Sequence, residues 1–188
     1  SKGEWLVLAR TKHMLKEIED VLYRKGLYYE TRHKRSYEKD IQEAATNWEH
    51  LRQGQLLNYK QIEKIYGYMS PEHRDKTLMH GMTKGSFYGI DQLTKDFGLK
   101  TKKVWFEAFD DAGSRRIEYL RKMRANGEQL NKKPRIELST IHAAKGGESQ
   151  NVVLLTDLTK TTLDTYEKNP DDENRLFYVG ATRTKENL

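Results

Sequence analysis

Trp5-Leu6-Val7-Leu8-Ala9 constrains the fold more than any other stretch of the sequence. It is short, continuously apolar, and stops at Arg10-Thr11. A strand without polar alternation has no face to offer water, so it belongs in a sheet covered on both sides, the usual setting of parallel strands. Thr11 is placed to cap a following helix, which carries Met14, Ile18, Val21 and Leu22 at helical spacing. Gly26, just after Arg24 and Lys25, is a suitable end for it. Residues 27–31 then read as a second strand. Strand, helix and strand with a short return predict a layer of a parallel α/β domain.

The same texture returns near Arg135. Residues 135–140 read as a strand, 142–149 as a loop holding Lys145, Gly146 and Gly147, and 152–155 as a buried strand. Residues 173–182 read as a helix led in by Pro170-Asp171-Asp172. From Ser36 to Lys133 strand signals are weak and short helical patterns dominate. The pattern predicts one α/β domain in two parts, residues 1–35 and 134–188, interrupted by a mostly helical insertion over residues 36–133. One continuous mixed domain is the alternative.

Composition narrows the chemistry. The chain has 188 residues and no cysteine, which excludes disulfides, thiolate catalysis and cysteine-ligated zinc. No run of eighteen apolar residues occurs, and no signal-peptide pattern opens the sequence; no membrane partner and a cytoplasmic location are the expectation. The net charge of +6 favours a polyanionic partner such as nucleic acid. Residues 115–135 hold eight Lys or Arg against two Glu, an excess equal to that of the whole chain.

Two stretches carry candidate chemistry. In the first, Thr140 and His142 offer donors to phosphates, Gly146 and Gly147 permit a tight turn or close approach of a ligand, and Glu148 can accept from a sugar hydroxyl. A plain structural loop explains the same residues. In the second, Arg175 and Arg183 stand about two helical turns apart, and a guanidinium aimed at a transferring phosphoryl group stabilises charge on its oxygens. Surface arginines are the plainer reading of both, and of Arg10.

Together these stretches resemble superfamily 1 DNA helicases of the UvrD/Rep/PcrA type. Residues 7–11 resemble motif IV, residues 139–148 motif V, and residues 173–183 motif VI with its ending Tyr178-Val179-Gly180-Ala181-Thr182-Arg183, in family order. The resemblance covers about 90 residues and implies a RecA-like, P-loop NTPase-type parallel sheet, the second motor domain 2A, with a compact 2B-like insertion. It implies that Arg10 contacts ATP phosphates and that Arg183 is an arginine finger. It further implies that Glu148 lies near the ribose, that Gly146 is the turn glycine, and that Thr140 and His142 contact single-stranded DNA. Lys145 matches the motif lysine and is grouped with the DNA-binding residues. Gly147 departs from the family, which usually has Leu there; the departure suggests a viral or divergent branch. Arg175 is expected to couple the motifs or form a structural salt bridge.

The 188 residues contain no Gly-x-x-x-x-Gly-Lys-Ser/Thr phosphate loop. The resemblance therefore implies that ATP and Mg²⁺ are handled jointly with an upstream motor domain, that this portion alone is inactive, and that the partners are single-stranded DNA or a single/double-strand junction. A last strand is expected beyond Leu188. A non-enzymatic nucleic-acid-binding module on the same scaffold, or the helicase part of a helicase–nuclease, are the alternatives. Asp110-Asp111, after Trp105, Phe106 and Phe109, imitates a metal-binding strand end, but a packed aromatic cluster is the expected reading and no metal site is assigned. Tyr28, Tyr29 and Tyr37 fit either base stacking or packing.

Overall fold

The computed structural model describes residues 3–32, 34–144 and 147–188. In chain order the first elements are β1 (Trp5–Ala9), α1 (Leu15–Lys25), β2 (Tyr29–Thr31), β3 (Lys34–Arg35), α2 (Lys39–Arg52), β4 (Leu57–Asn58) and α3 (Tyr59–Tyr66). After a 3-10 turn at Lys76–Gly81 come β5 (Phe87–Tyr88), α4 (Ile90–Asp96), α5 (Trp105–Ala108) and α6 (Ser114–Ala125). The chain ends with β6 (Ile136–Thr140), β7 (Ser149–Leu154), α7 (Lys160–Lys168), α8 (Pro170–Ala181) and β8 (Thr184–Asn187). The residues form two compact units, Ser1–Tyr37 with Met123–Leu188, and Glu38–Lys122.

The first unit is a six-stranded sheet in the order β3-β2-β6-β1-β7-β8. Every pairing is parallel except that of β2 with the short edge strand β3. The mostly parallel α/β class expected from the sequence is the one observed. β1 lies between β6 and β7 because it is apolar on both faces. On one face Val7 and Ala9 pack with Leu15, Tyr29, Ile136 and Leu138 under α1; on the other Leu6 and Leu8 pack with Ile141, Ala144 and Val152 beneath Leu176 and Phe177 of α8. Burying each of the Val, Leu and Ile side chains among these contributes about 1.5–3 kcal/mol.

The structure changes one local expectation, adds two elements and decides one alternative. Thr11 does not cap α1: the helix starts at Leu15, its cap residue Met14 makes no side-chain cap bond, and Thr11 Oγ1 is buried without a partner among the described residues. Residues 184–187, not read as a strand, form β8, which pairs with β7 from Ser149↔Thr184. The polar stretch after residue 157 contains the helix α7, capped by Thr159 Oγ1 accepting from Thr162 N at 3.3 Å. Tyr28 and Tyr29 are buried and the Tyr37 hydroxyl donates to Leu130 O at 2.8 Å, so these tyrosines are packing residues.

The second unit is mostly helical with one small antiparallel ribbon, β4 with β5. Trp48 is fully buried, and its indole donates to Lys103 O at 2.9 Å. Trp105 and Phe109 pack edge to face, and Tyr68 stacks on Phe109. Gly98 has φ +73°, and a Cβ there would lie 2.6 Å from Asp75 O, whose own N–H donates to Gly98 O at 2.7 Å. Gly54, at φ +89°, faces open space. Gly54→Ala should therefore cost about 1 kcal/mol, the left-handed backbone penalty alone, while Gly98→Ala should cost about 3 kcal/mol because backbone overlap is added. Urea unfolding of the two variants side by side measures the difference.

Candidate functional site

The parallel register distributes the candidate residues over the two edges of the sheet. At the carboxyl edge Ala9 is level with Thr140, and Ile141 N donates to Ala9 O at 3.0 Å. Arg10, Thr140 and His142 therefore gather there. Thr140 organises the loop: its carbonyl accepts from Ala143 N and Ala144 N, each at 3.0 Å, and its hydroxyl accepts from Ala143 N at 3.3 Å. His142 is exposed beside this turn.

Arg10 is held by a partner the sequence did not announce. Its Nε and Nη2 each donate at 2.8 Å to the carboxylate of Glu173, in the first turn of α8. The Glu173 side chain is only 7% exposed and that of Arg10 24%, so the pair is largely shielded from water. The hydrogen bond from Arg10 to Glu173 holds the guanidinium's pKa above its ordinary value. A bidentate guanidinium–carboxylate pair has fixed geometry as well as charge. Arg175, expected to couple the motifs or form a structural salt bridge, is exposed and makes no ion pair among the described residues; the ion pair at this end of α8 is made by Glu173. The signal for Glu173 was weak, since an acid in a helix's first turn is ordinary on dipole grounds.

At the amino edge Arg183 immediately precedes β8. Its carbonyl accepts from Ser149 N at 3.0 Å, and its Nε donates to Val179 O at 3.0 Å, which leaves both Nη groups without a partner among the described residues. Glu148, just before β7, is exposed and pairs with Lys185 at 3.3 Å. The hydroxyls of Ser149 and Thr184, register partners in β7 and β8, are buried without partners among the described residues. Gly147 is exposed with an ordinary φ, and a Cβ would meet Ala144 O at 3.4 Å, so its backbone does not require glycine. Lys145 and Gly146 lie outside the described residues.

Arg10 follows the end of β1 and Arg183 precedes the start of β8, so the two arginines sit at opposite ends of the parallel strands. Helix α8 spans the gap between them: twelve residues at about 1.5 Å each cover about 18 Å, with Glu173 near one end and Arg183 just past the other. Gly180 lets the helix lie close to the sheet, since a Cβ there would come within 2.9 Å of Leu154 Cδ1.

The remaining candidates are structural. Asp110 accepts from Ser70 N at 2.8 Å and Ser70 Oγ at 2.5 Å, and stands 3.3 Å from His73. Burial works against its charge, but the Ser70 bonds and His73 prevail and hold the carboxyl below its usual range. Among the described residues no three His, Asp or Glu side chains come together to hold a metal ion. Within the basic stretch, Arg116 pairs with Glu38, Lys122 with Glu118, Lys133 with Glu30 and Glu137, and Arg135 with Glu128. Much of its positive charge is thus locally compensated. No helix among the described residues is long and apolar enough to cross a membrane.

The mostly parallel α/β sheet is consistent with a RecA-like helicase domain. Residues 112–188 match the UvrD-like helicase C-terminal domain family, a similarity that supports a resemblance of this part of the chain to the carboxyl-terminal portion of UvrD-type superfamily 1 helicases. No curated protein and no solved structure matches the chain.

Removing one member of the Arg10–Glu173 pair strands the other, whereas replacing both removes the charge problem. Glu173→Ala and Arg10→Ala should each destabilise by about 3 kcal/mol, and the double variant Arg10→Met/Glu173→Leu should lose clearly less than the sum. Urea unfolding of the four proteins gives the coupling; additive losses would mean that the pair is not the interaction holding α8.

Proposed function

We propose that the chain supplies the second motor domain of an ATP-dependent DNA helicase, with the nucleotide at the amino edge of its sheet and single-stranded DNA at the carboxyl edge. The observation that carries this reading is α8, with Arg183 uncommitted at one end and Glu173 locked to Arg10 at the other. Arg183 stabilises charge on the transferring γ-phosphoryl group, and Glu148 accepts from the ribose. In this reading the phosphate loop and Mg²⁺ ligands come from a preceding motor domain, since the 188 residues contain no Gly-x-x-x-x-Gly-Lys-Ser/Thr.

Thr140 and His142 contact the DNA strand, with Lys145 of the same loop. Arg10 is reassigned: it stands with the DNA-side group and positions α8 through Glu173, rather than sharing the nucleotide with Arg183. The helix is then a rod between the two ligands. A shift of Arg183 on phosphate release moves Glu173, Arg10 and the neighbouring loop together, coupling hydrolysis to movement on the strand. Residues 38–122 form the counterpart of an inserted 2B domain.

The test uses the protein joined to its phosphate-loop domain. Arg183→Ala should cut steady-state ATP turnover by at least about 100-fold with little change in single-stranded DNA affinity. His142→Ala should weaken DNA binding and leave DNA-independent ATP turnover near wild type. Unchanged turnover in Arg183→Ala sinks the nucleotide assignment and leaves a non-enzymatic nucleic-acid module as the reading.

A further inference from the structure

We propose that the second unit carries its own binding site for an unpaired nucleotide of single-stranded DNA, with a base stacked on Phe87 and the adjoining phosphates held by Lys60 and Lys84. Phe87 is 60% exposed although its neighbour in β5, Tyr88, is 5% exposed. An aromatic side chain of that exposure on a two-stranded ribbon is not explained by packing of the unit's core. It borders an open cavity of about 450 Å³ that is also lined by Tyr59, Lys60, Glu63, Lys84 and Gly85.

The loop is built rather than slack. The Tyr88 hydroxyl accepts from Thr83 N at 2.6 Å, Ser86 N donates to Thr83 O at 3.1 Å, and the Tyr88 ring packs edge to face on Phe97 at 5.1 Å. Asn58, paired with Phe87 across the ribbon, joins a reciprocal cap with Gln61 that fixes the start of α3. Phe87 and Lys84 are thereby presented at set positions beside Tyr59 and Lys60.

The charge pattern selects the occupant. Lys60 and Lys84 make no ion pair among the described residues. The one acid of the cavity, Glu63, accepts from the Tyr59 hydroxyl at 3.3 Å. A neutral apolar partner would cover two cations without compensating them. A single strand matches both features, because phosphates neutralise the lysines and every base has a flat face for an aromatic ring. Gly85, with nothing within 4 Å of a Cβ position, leaves room for the backbone of such a strand. This site stands on the second unit alone and does not depend on the roles given to Arg183 or His142.

Fluorescence anisotropy of the whole chain with a labelled twelve-nucleotide oligothymidylate tests it. Phe87→Ala should weaken binding at least fivefold, and Phe87→Trp should restore it to within about twofold. On an oligonucleotide made abasic throughout, wild type and Phe87→Ala should bind equally. Lys60→Ala and Lys84→Ala should each reduce the slope of log affinity against log salt by about 0.7, one phosphate contact on a single strand. Unchanged melting curves would confirm that the exposed substitutions leave the fold intact. Unaltered affinity in Phe87→Ala, unaltered salt slopes in both lysine variants, or equal competition by an oligoglutamate peptide would overturn the proposal. His142→Ala in the same assay reports on the other DNA edge, so a failure there and a failure here are distinguishable.

Discussion

The two-sided burial of β1 is the constraint on which the sheet depends. Leu8 and Ala9 are entirely removed from water, so the strand must be flanked by others and covered above and below. Once it is central, hydrogen-bond register does the rest. Pairing with β6 sets Ala9 level with Thr140, and pairing with β7 sets Trp5 level with Asn151. The first relation assembles Arg10, Thr140 and His142. The second places Glu148 and Arg183 at the far edge, because β8 continues the register from Ser149↔Thr184.

Helix α8 gives that separation a mechanical meaning. Leu176 and Phe177 bury its sheet-facing side, and Gly180 removes the one side chain that would hold it off Leu154. A helix packed this closely moves as a unit with its ends, since protein interiors resist small displacements. Its two ends carry different chemistry: a shielded ion pair at Glu173, and at Arg183 a guanidinium whose Nη groups have no partner among the described residues. That contrast separates two arginines that look alike in the sequence.

Much of the first unit was legible because its signals are local. The apolar run at residues 5–9, the Gly26 stop and the Pro170 helix start each act within a few residues, and each is where the pattern put it. What escaped was polar or relational. Thr184-Lys185-Glu186-Asn187 is a strand with no apolar residue, stabilised by lying on β7 rather than by its own burial. Thr11 has a capping residue's chemistry, but the helix begins too far along for it to act. The Arg10–Glu173 pair joins residues 163 positions apart, beyond the reach of any spacing rule.

Sequence alone determined the class of fold, the order of the motif-like segments and the identity of the polar groups that crowd the loops. It could do so because side-chain periodicity and turn chemistry are properties of neighbouring residues. Only the tertiary structure decided which of those groups share an edge, since the level of one strand end against another is set by backbone hydrogen bonds between distant segments. By that register Arg10 stands with Thr140 and His142, and Arg183 stands about a helix length away with Glu148.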